Sequence, residues 1–147
     1  MKLLELIAHA AAAELTTEQL AQLNAELTGM ERAIGMRYTR VDSEGVAAEL
    51  AVTEQHLQPV GLVNGGVYTA LAESVGSLAG LVVAGGRPVV GVNNNTDFYR
   101  AVSDGTLTST AIPVHRGRSQ QVWAVETVTE DGKVAARGQV RLQNLDG

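Results

Sequence analysis

The stretch that decides the fold is residues 56–80, HLQPVGLVNGGVYTALAESVGSLAG. Pro59 and Gly61 predict an irregular loop, and Asn64 has the side chain of a helix N-cap. Apolar residues then occupy almost every side of a helix that we expect to run over residues 65–84. Such a helix is buried on most sides. The segment therefore predicts one long helix at the centre of the domain.

The flanks of this helix predict a sheet. Alternating apolar and polar residues predict four antiparallel strands after it, at 89–101, 105–114, 119–129 and 133–144. Asp-Gly turns at 103–105 and 130–132 form two of their connections, and residues 115–118 form the third. Two more strands are predicted before it, at 36–41 and 46–52, joined by a turn at 42–45. An antiparallel sheet wrapped around one buried helix is an α+β architecture.

The first 30 residues predict an N-terminal helical extension of a single domain that covers residues 1–147. Helical spacing of apolar residues favours an amphipathic first helix over a signal peptide. Thr16 or Thr17 would cap a second helix that ends near Gly29. The apolar residues on these two helices are Leu3, Leu4, Ile7 and Ala11, then Leu20, Leu23 and Leu27.

The composition limits the classes of function. The chain has no cysteine, which excludes disulfides and thiolate chemistry. Its formal net charge of −5 argues against nucleic acid and anionic membranes as partners. His56 and His115 lack the spacing of metal ligands, so no metal or other cofactor is expected. Glu73 interrupts the most apolar stretch, so we expect no membrane span and predict a cytoplasmic protein.

Glu73 is the residue that the hydrophobic pattern leaves unexplained. A carboxylate in an apolar helix is costly to bury as an anion, which makes it a candidate functional group. Thr69, Glu73 and Ser77 are four residues apart and so form one polar stripe on the helix. Periodicity alone leaves two interpretations open, a catalytic carboxylate or a solvated side chain at an exposed helix edge.

The start of the helix is a second candidate feature. Gly65 and Gly66 would present unpaired backbone N–H groups where the helix dipole favours negative charge. With Glu73, these donors would suit attack of water on an acyl group. Turn geometry is the alternative explanation for the glycines. For Gln58, whose amide could meet the same carbonyl, the alternative is an ordinary surface position.

These residues resemble the active-site region of a known family. The resemblance rests on Gln58-Pro59, Gly65-Gly66, Leu71-Ala72-Glu73-Ser74, Ser77, and the stretches VGVNNN (90–95), HRGR (115–118) and QVW (121–123). Together they are similar to the PaaI-like hotdog-fold thioesterases, which include the 4-hydroxybenzoyl-CoA and 1,4-dihydroxy-2-naphthoyl-CoA thioesterases. The similarity extends over residues 35–143 and leaves the two N-terminal helices outside.

The resemblance implies a hotdog fold and hydrolysis of an acyl-CoA, with an aromatic acyl group as the first expectation. Glu73 would be the catalytic carboxylate, either as general base or as nucleophile. The Gly65 N–H would polarise the thioester carbonyl, Gln58 would help to hold it, and Ser77 would position water or substrate. Further substrate contacts are implied for Asn64, Gly66, Ser74, Arg116, Gly117, Arg118 and Ser119, of which the last four would meet CoA.

The resemblance also implies an assembly. Two subunits would pair their sheets into a homodimer, and two dimers would form a homotetramer. Each active site would lie at the dimer interface, where Glu73 of one subunit meets Gly65 and Gln58 of the other. One departure is Asn64, since many relatives have His at this position and Asn supplies no titratable proton near neutral pH.

Two other functions stay open at this point. A hydratase or dehydratase on the same fold would pair a histidine such as His56 with Glu73. A non-catalytic module would bind acyl-CoA without turnover. The Gly65-Gly66 pair and Ser74 fit thioesterases better than hydratases, and we interpret His56 as a structural residue or one at the rim of the site.

Overall fold

The computed structural model describes residues 3–145. Three short helices come first and are followed by a hairpin, a 3₁₀ turn, a long helix and four strands. The elements are α1 (Leu3–Ala10), α2 (Thr17–Ala25), α3 (Gly29–Ile34), β1 (Arg37–Asp42), β2 (Gly45–Ala51), the 3₁₀ turn (Glu54–His56), α4 (Gly65–Val83), β3 (Val89–Phe98), β4 (Thr106–Arg116), β5 (Gln120–Val128) and β6 (Val134–Asn144).

The six strands form one antiparallel sheet in the order β1-β2-β4-β5-β6-β3. The sheet wraps around α4, so the predicted hotdog architecture is confirmed. Within residues 3–145, strand β3 lies at one edge and pairs only with β6. It ends at Phe98 rather than at 101, because Tyr99 and Arg100 leave the ladder and both donate their N–H to the Ala135 carbonyl.

The core lies between α4 and the concave face of the sheet. Gly76 and Gly80 of α4 face the side chains of Val140 and Leu142, and a Cβ at Gly80 would overlap Leu142. Side chains of the sheet, rather than a neighbouring backbone, therefore lie against these two glycines. Trp123 is fully buried and donates its indole N–H to Gln121 Oε1 at 3.0 Å. It therefore belongs to the core.

The N-terminal extension differs from its prediction in two respects. It contains three helices instead of two, because α2 ends at Ala25 and Gly29, with φ of +56°, begins α3. The buried side of α1 consists of Leu6, Ile7 and Ala10, whereas the predicted residues Leu3, Leu4 and Ala11 are exposed. The predicted N-cap at Thr16 is confirmed, with a capping box to Gln19.

Helix α4 is long and apolar enough, by length and composition, to cross a membrane. Of its most apolar window, 56% is buried inside the protein, against the sheet and the N-terminal helices. Its hydrophobicity is therefore accounted for by its place in the core.

Candidate active site

Glu73 lies in the middle of α4 and is half-buried. Its Oε2 accepts a hydrogen bond from Asn94 Nδ2 at 3.1 Å, and its Oε1 accepts one from Ser77 Oγ at 3.4 Å. Two neutral donors therefore stabilise the carboxylate at a fixed position. The side chain lines a cavity of about 410 Å³ together with Gly66, Thr69 and Ser74. The carboxylate is therefore hydrogen-bonded within the protein and also accessible from this cavity.

The contact of Asn94 with Glu73 was not predicted from the sequence. Its Nδ2 also donates to the Thr69 carbonyl at 3.0 Å, and its Oδ1 accepts from Thr96 Oγ1 at 2.7 Å. The amide is therefore held at both ends and aimed at Glu73. Three consecutive Asn residues in a predicted strand were the available signal, since Asn is depleted in strands. Alternation would then select Asn94 as the one facing the helix.

Gly91 of β3 makes room for the carboxylate. A Cβ at this position would overlap Glu73 Oε1 and stand 3.2 Å from Glu73 Cδ. The strand register is irregular between Gly91 and Asn93, which indicates a bulge opposite the carboxylate. The absence of a side chain at residue 91 is therefore part of the geometry that positions Glu73.

The start of α4 has one free donor. Asn64 is the N-cap, and its Oδ1 accepts the Gly66 N–H at 2.8 Å. The expectation that the Gly66 N–H is unpaired is therefore wrong, because the cap uses it. No hydrogen bond within residues 3–145 engages the Gly65 N–H. A side chain at residue 65 would collide with the ring of Phe98, so this position requires glycine while the ring stays in place.

Gln58 lies beside this donor. Its Oε1 accepts the Val60 N–H at 2.6 Å, which fixes the amide and leaves its NH₂ group free to donate. Gln58 and Gly65 line a cavity of about 350 Å³ with the rings of Tyr68, Phe98 and Tyr99. Glu73 is not among its lining residues, so the two candidate features occupy different cavities of the same chain.

The positions of Gly65 and Glu73 along α4 explain why these two residues line different cavities. Gly65 and Glu73 are eight residues apart, which corresponds to about 12 Å along a helix. The Gly65 N–H and Glu73 therefore lie about two helical turns apart in the same chain.

The other polar residues near the site have structural contacts. Thr69 Oγ1 donates back to the Gly66 carbonyl at 3.0 Å, the default for a helical threonine. His56 is buried; its Nδ1 accepts the Thr53 N–H at 2.8 Å, and its Nε2 therefore donates to the Ile34 carbonyl at 2.7 Å. Both ring nitrogens are occupied, so His56 is structural.

The residues predicted to meet CoA lie at the turn between β4 and β5. Arg116 ends β4, and its guanidinium pairs with Glu44 at 3.1 Å and donates to the Ser43 carbonyl. The turn is held by Asn144, whose Nδ2 donates to the Gly117 and Arg118 carbonyls. Arg118 and Ser119 are exposed. In one chain, none of residues 116–119 lines the cavity of Glu73.

Metal ligation has no support in the part of the chain that the structure describes. No group of three or more His, Asp or Glu side chains in residues 3–145 is arranged to hold an ion.

The fold and the site define the class of protein. A helix wrapped by an antiparallel sheet, with a hydrogen-bonded carboxylate at mid-helix and a free N–H at its start, is the arrangement of a hotdog-fold enzyme. The family model described as the thioesterase superfamily matches residues 60–136. The chain belongs to this superfamily, and it is a thioester hydrolase of the PaaI-like group.

Similar sequences support this assignment. Rv1847 of Mycobacterium tuberculosis is 47% identical over 117 residues, covering 77% of this chain and 84% of that protein. The proofreading thioesterase EntH of Klebsiella pneumoniae is 39% identical over 116 residues, covering 78% of this chain and 85% of that protein.

Similar structures give the same result. The thioesterase HI1161 of Haemophilus influenzae has a TM-score of 0.81 at 32% identity, covering 90% of this chain and 92% of that one. AziG of S. sahachiroi has a TM-score of 0.80 at 46% identity, covering 83% of this chain and all of that one.

Proposed function

We propose that this chain hydrolyses acyl-CoA thioesters with Glu73 as the catalytic carboxylate and the Gly65 N–H as the oxyanion donor. The observation that carries the proposal is the position of Glu73. It is held by Asn94 and Ser77, faces a cavity and lies within the segment matched by the thioesterase superfamily.

The site is completed by a second copy of the chain. Gly65 and Glu73 of one chain are about 12 Å apart along α4 and open into different cavities. Strand β3 has an unpaired edge of ten residues on which Val90, Val92 and Phe98 are exposed. Pairing two such edges would form a homodimer. Glu73 of one subunit would then face Gly65 and Gln58 of the other, and two dimers would associate into a homotetramer.

The reaction follows from these groups. Glu73 takes a proton from water while the water oxygen attacks the thioester carbonyl carbon. The Gly65 N–H and the Gln58 amide stabilise the oxyanion, and its collapse breaks the C–S bond and releases CoA thiolate, which takes up a proton. Ser77 orients the carboxylate. Direct attack by Glu73, with an anhydride that water then hydrolyses, is the alternative course of the same reaction.

The remaining substrate contacts are proposed at the edges of the site. Asn64 Nδ2 and the Ser74 hydroxyl would meet the acyl side, together with the Gly66 backbone, which lines the Glu73 cavity. Residues 116–119 would meet the phosphates of CoA. Arg118 is the better phosphate ligand of the two arginines, because a phosphate at Arg116 must displace Glu44.

We further propose an aromatic acyl group and a cytoplasmic location. PaaI of E. coli, from the phenylacetic acid degradation operon, has a TM-score of 0.79 at 25% identity over 88% of this chain. A phenylacetic acid degradation protein of Thermus thermophilus is also similar at 25% identity. The absence of cysteine is compatible with a reducing compartment.

The experiment is thiol release from a panel of aromatic and aliphatic acyl-CoAs by wild type and Glu73→Gln. We expect wild type to release CoA thiol and Glu73→Gln to lose kcat by about 10³-fold or more while still binding CoA. Glu54→Gln, an exposed carboxylate in the 3₁₀ turn, is the matched control and should retain wild-type rates. Unchanged hydrolysis by Glu73→Gln would refute the assignment, and binding without turnover by wild type would indicate the non-catalytic alternative.

A single-turnover reaction in ¹⁸O-water distinguishes a general-base role of Glu73 from a nucleophilic one. Label in the Glu73 carboxylate indicates an anhydride that water hydrolyses at the Glu73 carbonyl, and label in the product acid alone excludes that course.

A further inference from the structure

The N-terminal helices and α4 enclose a cavity of about 320 Å³ that the proposed chemistry has not used. Half of its fourteen lining residues are leucine, isoleucine or valine, and they come from α1, α2, the loop after α2, α4 and the start of β3. Its volume is at the lower end of the range of ligand pockets, about 300–1,000 Å³. It is therefore large enough for a small acyl group and too apolar for the phosphates of CoA.

This cavity adjoins the catalytic carboxylate. Ser74 lines both this cavity and that of Glu73, and Ser77, whose hydroxyl donates to Glu73 Oε1, lines it as well. Leu81, on the far wall, is eight residues beyond Glu73, about 12 Å along the helix. An acyl group whose carbonyl lies at Glu73 would pass Ser74, which lines both cavities, to enter this space.

One polar pair stands out in the cavity wall. The Tyr38 hydroxyl, which is deeply buried, donates to Glu31 Oε1 at 2.5 Å and lies 3.3 Å from the Ser74 carbonyl. No hydrogen bond in residues 3–145 engages the second oxygen of Glu31, Oε2. A carboxylate fixed through one oxygen, with the other free beside a cavity, is an acceptor for a ligand hydroxyl or amino group.

The Tyr38 hydroxyl keeps its proton. Burial raises the pKa of the Tyr38 hydroxyl well above its ordinary value, and the charge of Glu31 and the hydrogen bond to it raise it further. Tyr38 therefore remains a donor at physiological pH, and its proton stays directed to Glu31. The geometry of the acceptor is thus set by the protein before any ligand arrives.

We propose that this cavity holds the acyl group of the substrate and that Glu31 selects acyl groups that carry a hydroxyl or amino donor. The inference rests on the proposed thioesterase function and adds a specificity-determining residue to it. Glu31 and four residues of the apolar wall come from the N-terminal part of the chain, outside the residues 60–136 that the superfamily model matches; these four are Leu3, Ile7, Leu23 and Leu27. The selectivity is therefore supplied by the N-terminal extension of this chain.

The test compares matched pairs of substrates, benzoyl-CoA against its 2-, 3- and 4-hydroxy derivatives and butanoyl-CoA against 3-hydroxybutanoyl-CoA. We expect kcat/KM of wild type to favour at least one hydroxylated member over its parent by about tenfold or more, as one charge-assisted hydrogen bond allows. Glu31→Gln should remove most of that preference while leaving kcat/KM for the parent compound within about twofold. Glu26→Gln, an exposed carboxylate on the same cavity, is the control and should keep the preference.

A purely structural role of Glu31 would not change the ratio of kcat/KM between a hydroxylated compound and its parent. A loss of this ratio is therefore the specific readout. If Glu31→Gln lowers kcat/KM for parent and hydroxylated compounds equally, or if wild type has no preference, selection by Glu31 is refuted. Leu81→Phe tests the cavity separately, because the larger side chain fills it and should raise KM for bulky acyl groups more than for acetyl-CoA. Equal KM changes for all acyl groups would overturn the placement. Absence of thiol release from every acyl-CoA would instead overturn the proposed function, and this inference with it.

Discussion

Replacing Gly91 with alanine tests how tightly the Glu73 carboxylate must be positioned for the proposed reaction. The new Cβ would approach Glu73 Oε1 more closely than the 3.0 Å that real Cβ atoms keep, and ordinary contact begins at 3.4 Å. The carboxylate is the free end of a flexible side chain, so it will turn away, and its hydrogen bond from Ser77 at 3.4 Å will be lost. A displacement on the order of 1 Å costs about 10²-fold in rate.

The fold should tolerate this substitution. Gly91 is exposed on the edge strand and its φ is not positive, so alanine meets no backbone strain. Its effect on stability should lie within about 1 kcal/mol of zero. The assay is steady-state thiol release together with thermal unfolding and sedimentation, since β3 is also the proposed dimer edge. Val92→Ala, on the same exposed edge, is the control for any effect that a substitution in β3 has on dimer formation.

The expected result is specific to position 91. Gly91→Ala should lose about 10²-fold in kcat with an unchanged Tm and oligomeric state, whereas Val92→Ala should keep wild-type kcat. A wild-type kcat for Gly91→Ala in a folded protein would refute the reasoning, because the carboxylate would then not need its present position.

Three further predictions concern single side chains. Asn94→Ala removes the 3.1 Å hydrogen bond to Glu73 and should lower kcat by about tenfold, whereas Asn95→Ala, exposed on the other face of β3, should not. Hydrogen bonds from Lys133 and Thr129 lower the pKa of Asp131 from 3.8 to about 2. The stabilising effect of the ionised Asp131 is therefore present above pH 4 and disappears as the pH falls through 2. NMR titration of Asp131 measures this pKa, and a value near 3.8 would contradict the prediction. The buried Tyr68 hydroxyl has no hydrogen-bond partner within residues 3–145, and burial raises its pKa. Tyr68→Phe should therefore stabilise the fold by about 1 kcal/mol, measured by thermal unfolding. A Tm lower than that of wild type would contradict this prediction.

The fold was largely predictable because its signals are local. A helix that is apolar all round, capped by Asn64 and followed by strands with Asp-Gly turns, fixes both the element types and their order. The N-terminal helices were less predictable. A two-turn helix such as α1 offers few positions, and which of its sides is buried depends on its contacts with α4.

The site was predictable only in part, for a similar reason. The spacing of Glu73 and Ser77 on one helix predicts their contact, which the structure contains. Asn94 and Gly91 reach Glu73 from a strand more than fifteen residues away, so their contacts follow from strand register and a bulge that no local pattern specifies. Likewise, the use of the Gly66 N–H by the Asn64 cap follows from side-chain geometry.

The most direct test of a site shared between two chains is complementation of two inactive variants. Glu73→Gln and Gln58→Ala are each prepared separately, then mixed under conditions that exchange subunits, and thiol release is measured. In a heterodimer with a shared site, one active site contains both wild-type residues and the other contains neither. The shared site therefore predicts recovery of about a quarter of wild-type activity at full exchange. No recovery, with heterodimers demonstrated by mass spectrometry, would contradict the account.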